Sequence, residues 1–317
     1  MNARMRCTVG FLAVAAAVGC GGNDSFELGT DPSTGALGVA EFSWEENGLF
    51  SCLFGCNAAA PVATGATASL RVGNAASIPA FTVRSDDPTT AQVSGTSPIE
   101  IEALRPGEAR ILLEEYPGGA PIDELVVTIA DVHRITAGKR RLIAVDGSME
   151  IEPFLFDAWG RRLVGIGALD YAPSPSLDQG QLSVSDRCEM FFSLQVEECV
   201  RLSAVDVGEG FLEIEAASGV AASVPLDLVV DDDVVTSINL QKEPDDDRIV
   251  VRARAFAGDA RVFGARCDWS LTLSEGSLYI DSIDHDDEEE ATIRGRGAGD
   301  LTCEIGNASR NVSLRRD

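Results

Sequence analysis

GEARILL at positions 107–113, GEGFLEI at 208–214 and GDLTCEI at 299–305 share one pattern: a glycine, an acidic residue, then small or apolar residues at alternate positions. The three stretches recur at spacings of 101 and 91 residues. Alternation with a period of two predicts a β-strand with one buried face, and the leading glycine suits a turn that needs a positive φ. The pattern therefore predicts three copies of one β-domain.

A second pattern supports the repeat. The segment from Gly160 to Tyr171 matches the segment from Gly258 to Trp269, 98 residues further on. Each predicts a strand, a short turn and a second strand that ends in an aromatic residue, and the segment 81–88 takes this place in the first copy. The alignment sets Leu169 and Leu212 of the second copy against Cys267 and Cys303 of the third.

The first copy also resembles a known family. VRSDDPTTAQVSG at 83–95, followed by IEALRPGEARI at 101–111, is similar to the bacterial immunoglobulin-like group 2 family over about residues 60–131. The resemblance implies an all-β fold of tandem immunoglobulin-like β-sandwiches of about 100 residues each. Such domains serve as stalks and modules in surface proteins and adhesins, and the family has no catalytic residues to carry over. We expect Ig-like domains at 39–131, 132–231 and 232–317.

The N-terminus has the organisation of an export signal. Arg4 and Arg6 precede a short apolar stretch at 8–18, which is typical of a secretory signal peptide and shorter than the roughly 20 residues that span a bilayer. Ala17-Val18-Gly19-Cys20 resembles the bacterial lipobox, which implies a signal peptide at 1–19, lipidation of Cys20 and a flexible tether at 20–38. The alternative is ordinary cleavage near residues 15–17, which gives a soluble secreted protein. Both interpretations predict export.

Composition limits the partners. The 317 residues include 45% hydrophobic residues, enough to build packed cores, and carry a formal net charge of -26. Nucleic-acid binding depends on Lys and Arg that neutralise phosphates, so a nucleic-acid partner is not expected.

The cysteines predict disulfides. Of the eight cysteines, Cys7 leaves with the signal and Cys20 takes the lipid. The six that remain suggest three bridges in an exported protein: Cys52 with Cys56, Cys188 with Cys199, and Cys267 with Cys303. The repeat places the last pair on buried strand faces, where immunoglobulin domains carry their core disulfide beside a Trp; Trp269 is the candidate for that Trp.

Catalytic and metal motifs are missing from the sequence. The two histidines, His133 at a domain junction and His285 in an acidic run, are interpreted as unpaired surface residues. Acidic clusters at 245–247 and 284–290 lack the ligand spacing of a calcium loop and are interpreted as solvated loops, although calcium binding stays open. We expect no catalytic residues, no metal site and no cofactor.

The sequence thus favours a non-catalytic lipoprotein of the bacterial envelope, on the outer membrane and facing the periplasm or the surface. Its domains would act as spacers or adhesion modules, with the membrane as partner through the lipid anchor and an unknown protein or carbohydrate ligand. The alternative is an exported carbohydrate-binding or hydrolytic protein with a site at a domain junction. A cleft between 132–231 and 232–317, lined by carboxylates and exposed aromatic residues, would favour that alternative.

Overall fold

The computed structural model describes residues 33–44, 56–73, 75, 78–177, 180–185, 199–244, 247–285 and 289–316. These residues form three successive β-sandwiches, so the all-β fold of tandem immunoglobulin-like domains is confirmed. Strand β10 of the first sandwich ends at Ala130 and the first strand of the second begins at Arg134. The expected domain limits remain predictions about folding units.

The first sandwich packs a five-membered strand path against a four-stranded sheet. The paths run β1-β2-β5-β8-β7, with β3 on β2, and β4-β10-β9-β6. In β8, Ile99 and Ile101 are fully buried while Glu102 is exposed, as the alternation predicts. The strands are β1 (Ser33–Thr34), β2 (Glu41–Trp44), β3 (Cys56–Asn57), β4 (Val62–Ala63), β5 (Thr67–Val72), β6 (Thr82–Ser85), β7 (Ala91–Ser94), β8 (Ile99–Ala103), β9 (Gly107–Glu114) and β10 (Pro121–Ala130).

The second sandwich repeats this plan with one strand broken. β16-β19-β20-β12 faces β13-β18-β17, and β11-β14-β15 forms a small third sheet. Pro153, which lacks an N–H, separates β13 from β14. The strands are β11 (Arg134–Thr136), β12 (Arg141–Ala144), β13 (Ser148–Ile151), β14 (Phe154–Phe156), β15 (Arg162–Leu163), β16 (Leu169–Pro173), β17 (Leu182–Ser185), β18 (Val200–Ala204), β19 (Gly208–Ala216) and β20 (Ala221–Val229).

The third sandwich follows a single helical turn, α1 (Asp231–Val234). One layer has the order β23-β22-β26-β25 with β21 also on β22, and the other has the order β24-β27-β28. Unbroken β22 takes the place of β13 and β14 together. The strands are β21 (Ser237–Pro244), β22 (Ile249–Ala257), β23 (Ala260–Phe263), β24 (Asp268–Gly276), β25 (Tyr279–His285), β26 (Glu289–Arg294), β27 (Gly297–Ile305) and β28 (Ala308–Arg316).

The register of the strands corrects the sequence alignment by two residues. Trp269 lies opposite Cys303, and Tyr171 lies opposite Ile214. The counterpart of Cys303 is therefore Ile214, and Leu212 corresponds to Leu301. β27 accordingly starts at Gly297, in the place of Gly107 and Gly208, and the alignment to Gly299 was wrong. A slip of two residues keeps the same side chains on the buried face, so alternation alone cannot detect it.

Part of the expected tether is folded onto the first domain. Ser33 pairs with Phe42, and the turn that follows is held by Asp123 of β10. The buried Asp123 carboxylate accepts hydrogen bonds from the backbone N–H groups of Leu37, Val39 and Ala40 at 2.6–2.8 Å. Pairing onto the first domain is therefore already present at Ser33, before residue 39, the predicted start of the domain.

Two joints connect neighbouring sandwiches by β-pairing. Val62 of β4 bridges Val164 in parallel, and Ile143 of β12 pairs in parallel with Phe263 of β23. The second joint makes the layer β16-β19-β20-β12 continuous with the sheet of the third domain. At the first joint, Val62 and Val164 belong to one buried cluster that runs through both domains.

Candidate functional site

An open groove of about 730 Å³ lies where the first domain meets the second. Its first wall is the start of β9, and its second is the end of β10 with the linker to His133. The third wall is the loop between β14 and β15, which contributes Asp157, Trp159 and Arg161. Ligand sites occur preferentially at such domain interfaces, so this groove is the candidate functional site.

The loop holds Trp159 outward in a fixed backbone conformation. Asp157 Oδ1 accepts hydrogen bonds from the N–H groups of Trp159 at 2.9 Å and Arg161 at 2.8 Å. Asp157 Oδ2 accepts a bond of 2.7 Å from Arg161 Nε. Gly160, with φ +78°, donates its N–H to the Asp157 carbonyl and closes the turn. Trp159 is nevertheless 78% exposed.

Asp157 stays charged in its buried position. Burial of Asp157 opposes the charge, but hydrogen bonds from the Arg161 side chain and from the two backbone amides outweigh it and lower the pKa of Asp157. The Arg161 guanidinium in turn lies 5.1 Å from the centre of the Trp159 ring, within range of a cation–π contact. The ion pair and the indole therefore form one connected unit.

The rim of the groove is acidic. Glu108 from β9, Asp131 and His133 from the linker are all exposed. Their side chains have no hydrogen-bond or ion-pair partner within the part of the chain that the structure describes. Two carboxylates and one imidazole are thus available to hydrogen-bond to a ligand beside the indole.

A cleft of the kind that would favour the sequence-based alternative is present, but at another junction. It has carboxylates and an exposed aromatic residue, and it lies between the first and second domains rather than between the second and third. His133 is at the junction, as the sequence places it. Trp159 was missed, because one aromatic residue in a glycine turn has no sequence pattern that separates it from a core residue.

Of the three predicted bridges, the one between Cys267 and Cys303 is present in the described residues. Cys267 and Cys303 form a disulfide with their Cα atoms 5.2 Å apart, and Trp269 packs in the same cluster. Cys199 is also disulfide-bonded. Cys20, Cys52 and Cys188 lie outside the described residues, and Cys56 is described only as part of β3.

His285 is paired, so its interpretation as an unpaired loop residue was wrong. It ends β25, and its Nδ1 lies 2.8 Å from Oε2 of the buried Glu289 on the neighbouring strand. Trp269 Nε1 donates to Oε1 of Glu289 at 3.3 Å. Burial raises the pKa of Glu289, and the bonds from His285 and Trp269 offset this only in part.

Neither a metal-binding cluster nor a membrane-spanning helix occurs in the described residues. No group of three or more His, Cys, Asp or Glu side chains in the described ranges is arranged to hold a metal ion. Residues 245–246 and 286–288, which belong to the two acidic clusters, are outside those ranges. No helix in the described part is long and apolar enough to span a bilayer.

Comparison with known proteins gives distant structural similarity only. No protein-family model and no curated protein matches the chain. Domains 4–9 of the surface-layer protein SbsC are 16% identical over 78% of this chain, which spans 42% of that chain, with a TM-score of 0.33. The Escherichia coli adhesin FdeC is 13% identical over 81% of this chain and 94% of its own, with a TM-score of 0.27. The D0-D1 domain of intimin is 14% identical over 58% of this chain and 99% of its own, with a TM-score of 0.25. These values do not establish a function.

Proposed function

We propose that the chain is a non-catalytic lipoprotein of the bacterial envelope, attached through Cys20, whose Ig-like domains form a stiff spacer. The signal-like N-terminus and the lipobox resemblance support the anchor. The spacer is supported by one observation above the others, namely that the two domain joints are built in the same way.

The first joint is a set of backbone hydrogen bonds between domains. Val164 donates its N–H to the carbonyl of Pro61 at 2.9 Å, and its own carbonyl accepts from Ala63 at 3.0 Å. Thr67 and Ile166 exchange both of their backbone bonds at 2.8 and 2.9 Å. A joint fixed by main-chain bonds restricts rotation more than a flexible linker does.

The second joint has equivalent parts. β4 pairs with Ile129 and Ala130 of β10, and β12 likewise pairs with Leu228 and Val229 of β20. In both domains the strand is followed by a tight turn, closed by a bond from Ala66 N–H to Ala63 and from Gly147 N–H to Ala144.

A glycine of the following domain fills the space over each turn. A Cβ on Gly165 would lie 2.7 Å from Ala66 Cβ, and one on Gly264 would lie 2.6 Å from Gly147 Cα. Both glycines have positive φ, +107° and +68°. The same close approach at two joints indicates that the chain repeats one domain-to-domain arrangement, as a spacer of defined length requires.

The anchor is tested by cell fractionation of the wild type and of Cys20→Ser. We expect the wild type in the membrane fraction with a diacyl or triacyl mass on its N-terminal peptide, because two acyl chains give stable attachment. The variant should appear in the soluble exported fraction. A variant that stays in the membrane fraction, or a wild-type peptide without acyl mass, contradicts the anchor.

The spacer is tested by small-angle scattering of the full chain carrying Cys20→Ser, which removes the site of acylation. This parent and its control Gly167→Ala, Gly258→Ala should give one narrow distance distribution, since a Cβ at these positive-φ glycines meets no atom within 4 Å. Gly165→Ala, Gly264→Ala should broaden the distribution because both joints must separate. Equal distributions for the two double variants contradict the role of the joints.

A further inference from the structure

Trp159 is the most exposed large hydrophobic residue in the described part of the chain. The residue is 78% exposed, whereas Trp44 is fully buried and Trp269 is partly buried in the third domain. Five hydrogen bonds of Asp157 and Gly160 fix the loop that presents it. Large apolar side chains in rigid, solvent-facing positions beside a groove are typical of binding sites.

The joint itself does not require this loop. At the first joint Phe156 pairs with Arg162, so five residues, 157–161, connect β14 to β15. At the equivalent joint Ala257 pairs with Ala260, and a two-residue turn is enough. The second joint keeps its main-chain pairing and close-packed glycine without a Trp loop. The additional residues therefore contribute to the groove rather than to domain packing.

Charge disfavours an anion beside Trp159, and the Arg161 guanidinium competes with a cationic ligand for the ring. An anion would meet Glu108, Asp131 and the field of a chain with net charge -26. A cation would meet the Arg161 guanidinium, which already occupies a position 5.1 Å from the ring centre. Arg161 cannot move away freely, because Asp157 holds its Nε at 2.7 Å.

A neutral ligand with many hydroxyl groups matches the free indole face and the polar side chains on the rim of the groove. One face of the indole can take the C–H surface of a sugar ring, while Glu108 and Asp131 accept hydroxyl protons and His133 can donate or accept. The groove is open to solvent, so the interior of a chain can lie across it as readily as an end. We infer that the groove between the first two domains binds a neutral glycan, with Trp159 as the stacking platform.

This inference goes beyond the spacer function and does not depend on the lipid anchor. It is tested with the purified full chain by titration calorimetry and Trp fluorescence. The probes are cellohexaose, maltohexaose and N-acetylchitohexaose, with hexagalacturonate as the anionic and deacetylated chitohexaose as the cationic control. We expect at least one neutral hexasaccharide to bind below about 1 mM and to change the emission of Trp159.

Matched variants separate stacking from folding. Trp159→Ala should weaken binding at least tenfold and Glu108→Gln severalfold, while Trp159→Tyr should keep most of it. Tyr279→Ala, which removes the ring of another exposed aromatic residue, 51% exposed in the third domain, should leave binding unchanged. The variants should unfold at close to the wild-type temperature, because neither Trp159 nor Glu108 is buried. Thermal unfolding curves check that each variant is folded.

Three outcomes would overturn the inference. They are the failure of every neutral hexasaccharide to bind, binding that Trp159→Ala leaves intact, and tighter binding of a charged probe than of all neutral ones. None of these bears on the spacer, whose test is the geometry of the joints.

Discussion

Replacing Gly165 by alanine tests how closely the first two domains are joined. The new Cβ would lie 2.7 Å from Ala66 Cβ and 3.2 Å from the Thr67 carbonyl oxygen, whereas carbon atoms pack best at about 3.5 to 4.0 Å. To relieve this overlap, the backbones of the two domains must separate by roughly 1 Å, at a place where four main-chain hydrogen bonds cross the joint. Overpacking of this kind costs about 1 to 3 kcal/mol.

The control for this variant lies two residues away. Gly167 has φ +85°, and a Cβ there would meet no atom within 4 Å. Gly167→Ala therefore carries the strain of a positive φ, about 1 to 2 kcal/mol, without the overlap. The difference between the two variants measures the close approach of the domains.

Hydrogen exchange at the joint is the assay. Both variants carry the positive-φ strain, and Gly165→Ala alone adds an overlap of about 2 kcal/mol. Exchange of the Thr67, Val164 and Ile166 amides should therefore be roughly 30-fold faster in Gly165→Ala than in Gly167→Ala. Equal exchange rates in the two variants would refute the reasoning, since they would show that Gly165 is not packed against Ala66 in solution.

Three further predictions concern single domains. Asp123→Asn should lower the thermal midpoint and reduce the free energy of unfolding by about 2 to 4 kcal/mol. Burial of Asp123 opposes its charge, but the backbone donors outweigh burial and lower the pKa of Asp123. The wild type alone should therefore lose this stability as the pH falls below about 4. Cys267→Ala, Cys303→Ala should cost about 3 to 4 kcal/mol for a 36-residue separation, and Cys267→Leu, Cys303→Ile should cost less in urea unfolding. The raised pKa of Glu289 means that its proton stabilises the fold below about pH 4.5 and that this contribution is lost as the pH rises through the folded value. Glu289→Gln should remove that loss in a pH series of melting curves. A midpoint that is independent of each substitution would contradict the corresponding assignment.

The sequence predicts the layers of each domain better than the contacts between domains. Alternation in GEARILL and its two counterparts reports which face of a strand is buried, and the structure buries Ile111, Leu212 and Leu301 accordingly. The pairing of β12 with β23 has no such signature, because β12 is four residues long and β23 follows it by more than a hundred residues. Parallel pairing across that separation depends on the packing of whole domains.

Of the two side chains Asp123 and Trp159, only Asp123 breaks a local sequence pattern. Asp123 is an acidic residue between Pro121 and Leu125 of β10, at a position where the alternation predicts a buried side chain. This mismatch is the signal that could have identified it. Trp159 has no comparable signal. Only the contrast between a five-residue loop at one joint and a two-residue turn at the other distinguishes it, and that contrast requires the register of both hairpins.

Distances between equivalent hairpins test the spacer most directly. Glu115, Ala217 and Asn307 are exposed at the turns β9–β10, β19–β20 and β27–β28. Spin labels are placed on Glu115→Cys with Ala217→Cys, and on Ala217→Cys with Asn307→Cys, in the full chain carrying Cys20→Ser. Dipolar spectroscopy should give a narrow distance distribution for each pair, with closely similar means, because one joint is used twice. A broad distribution for either pair would contradict the account.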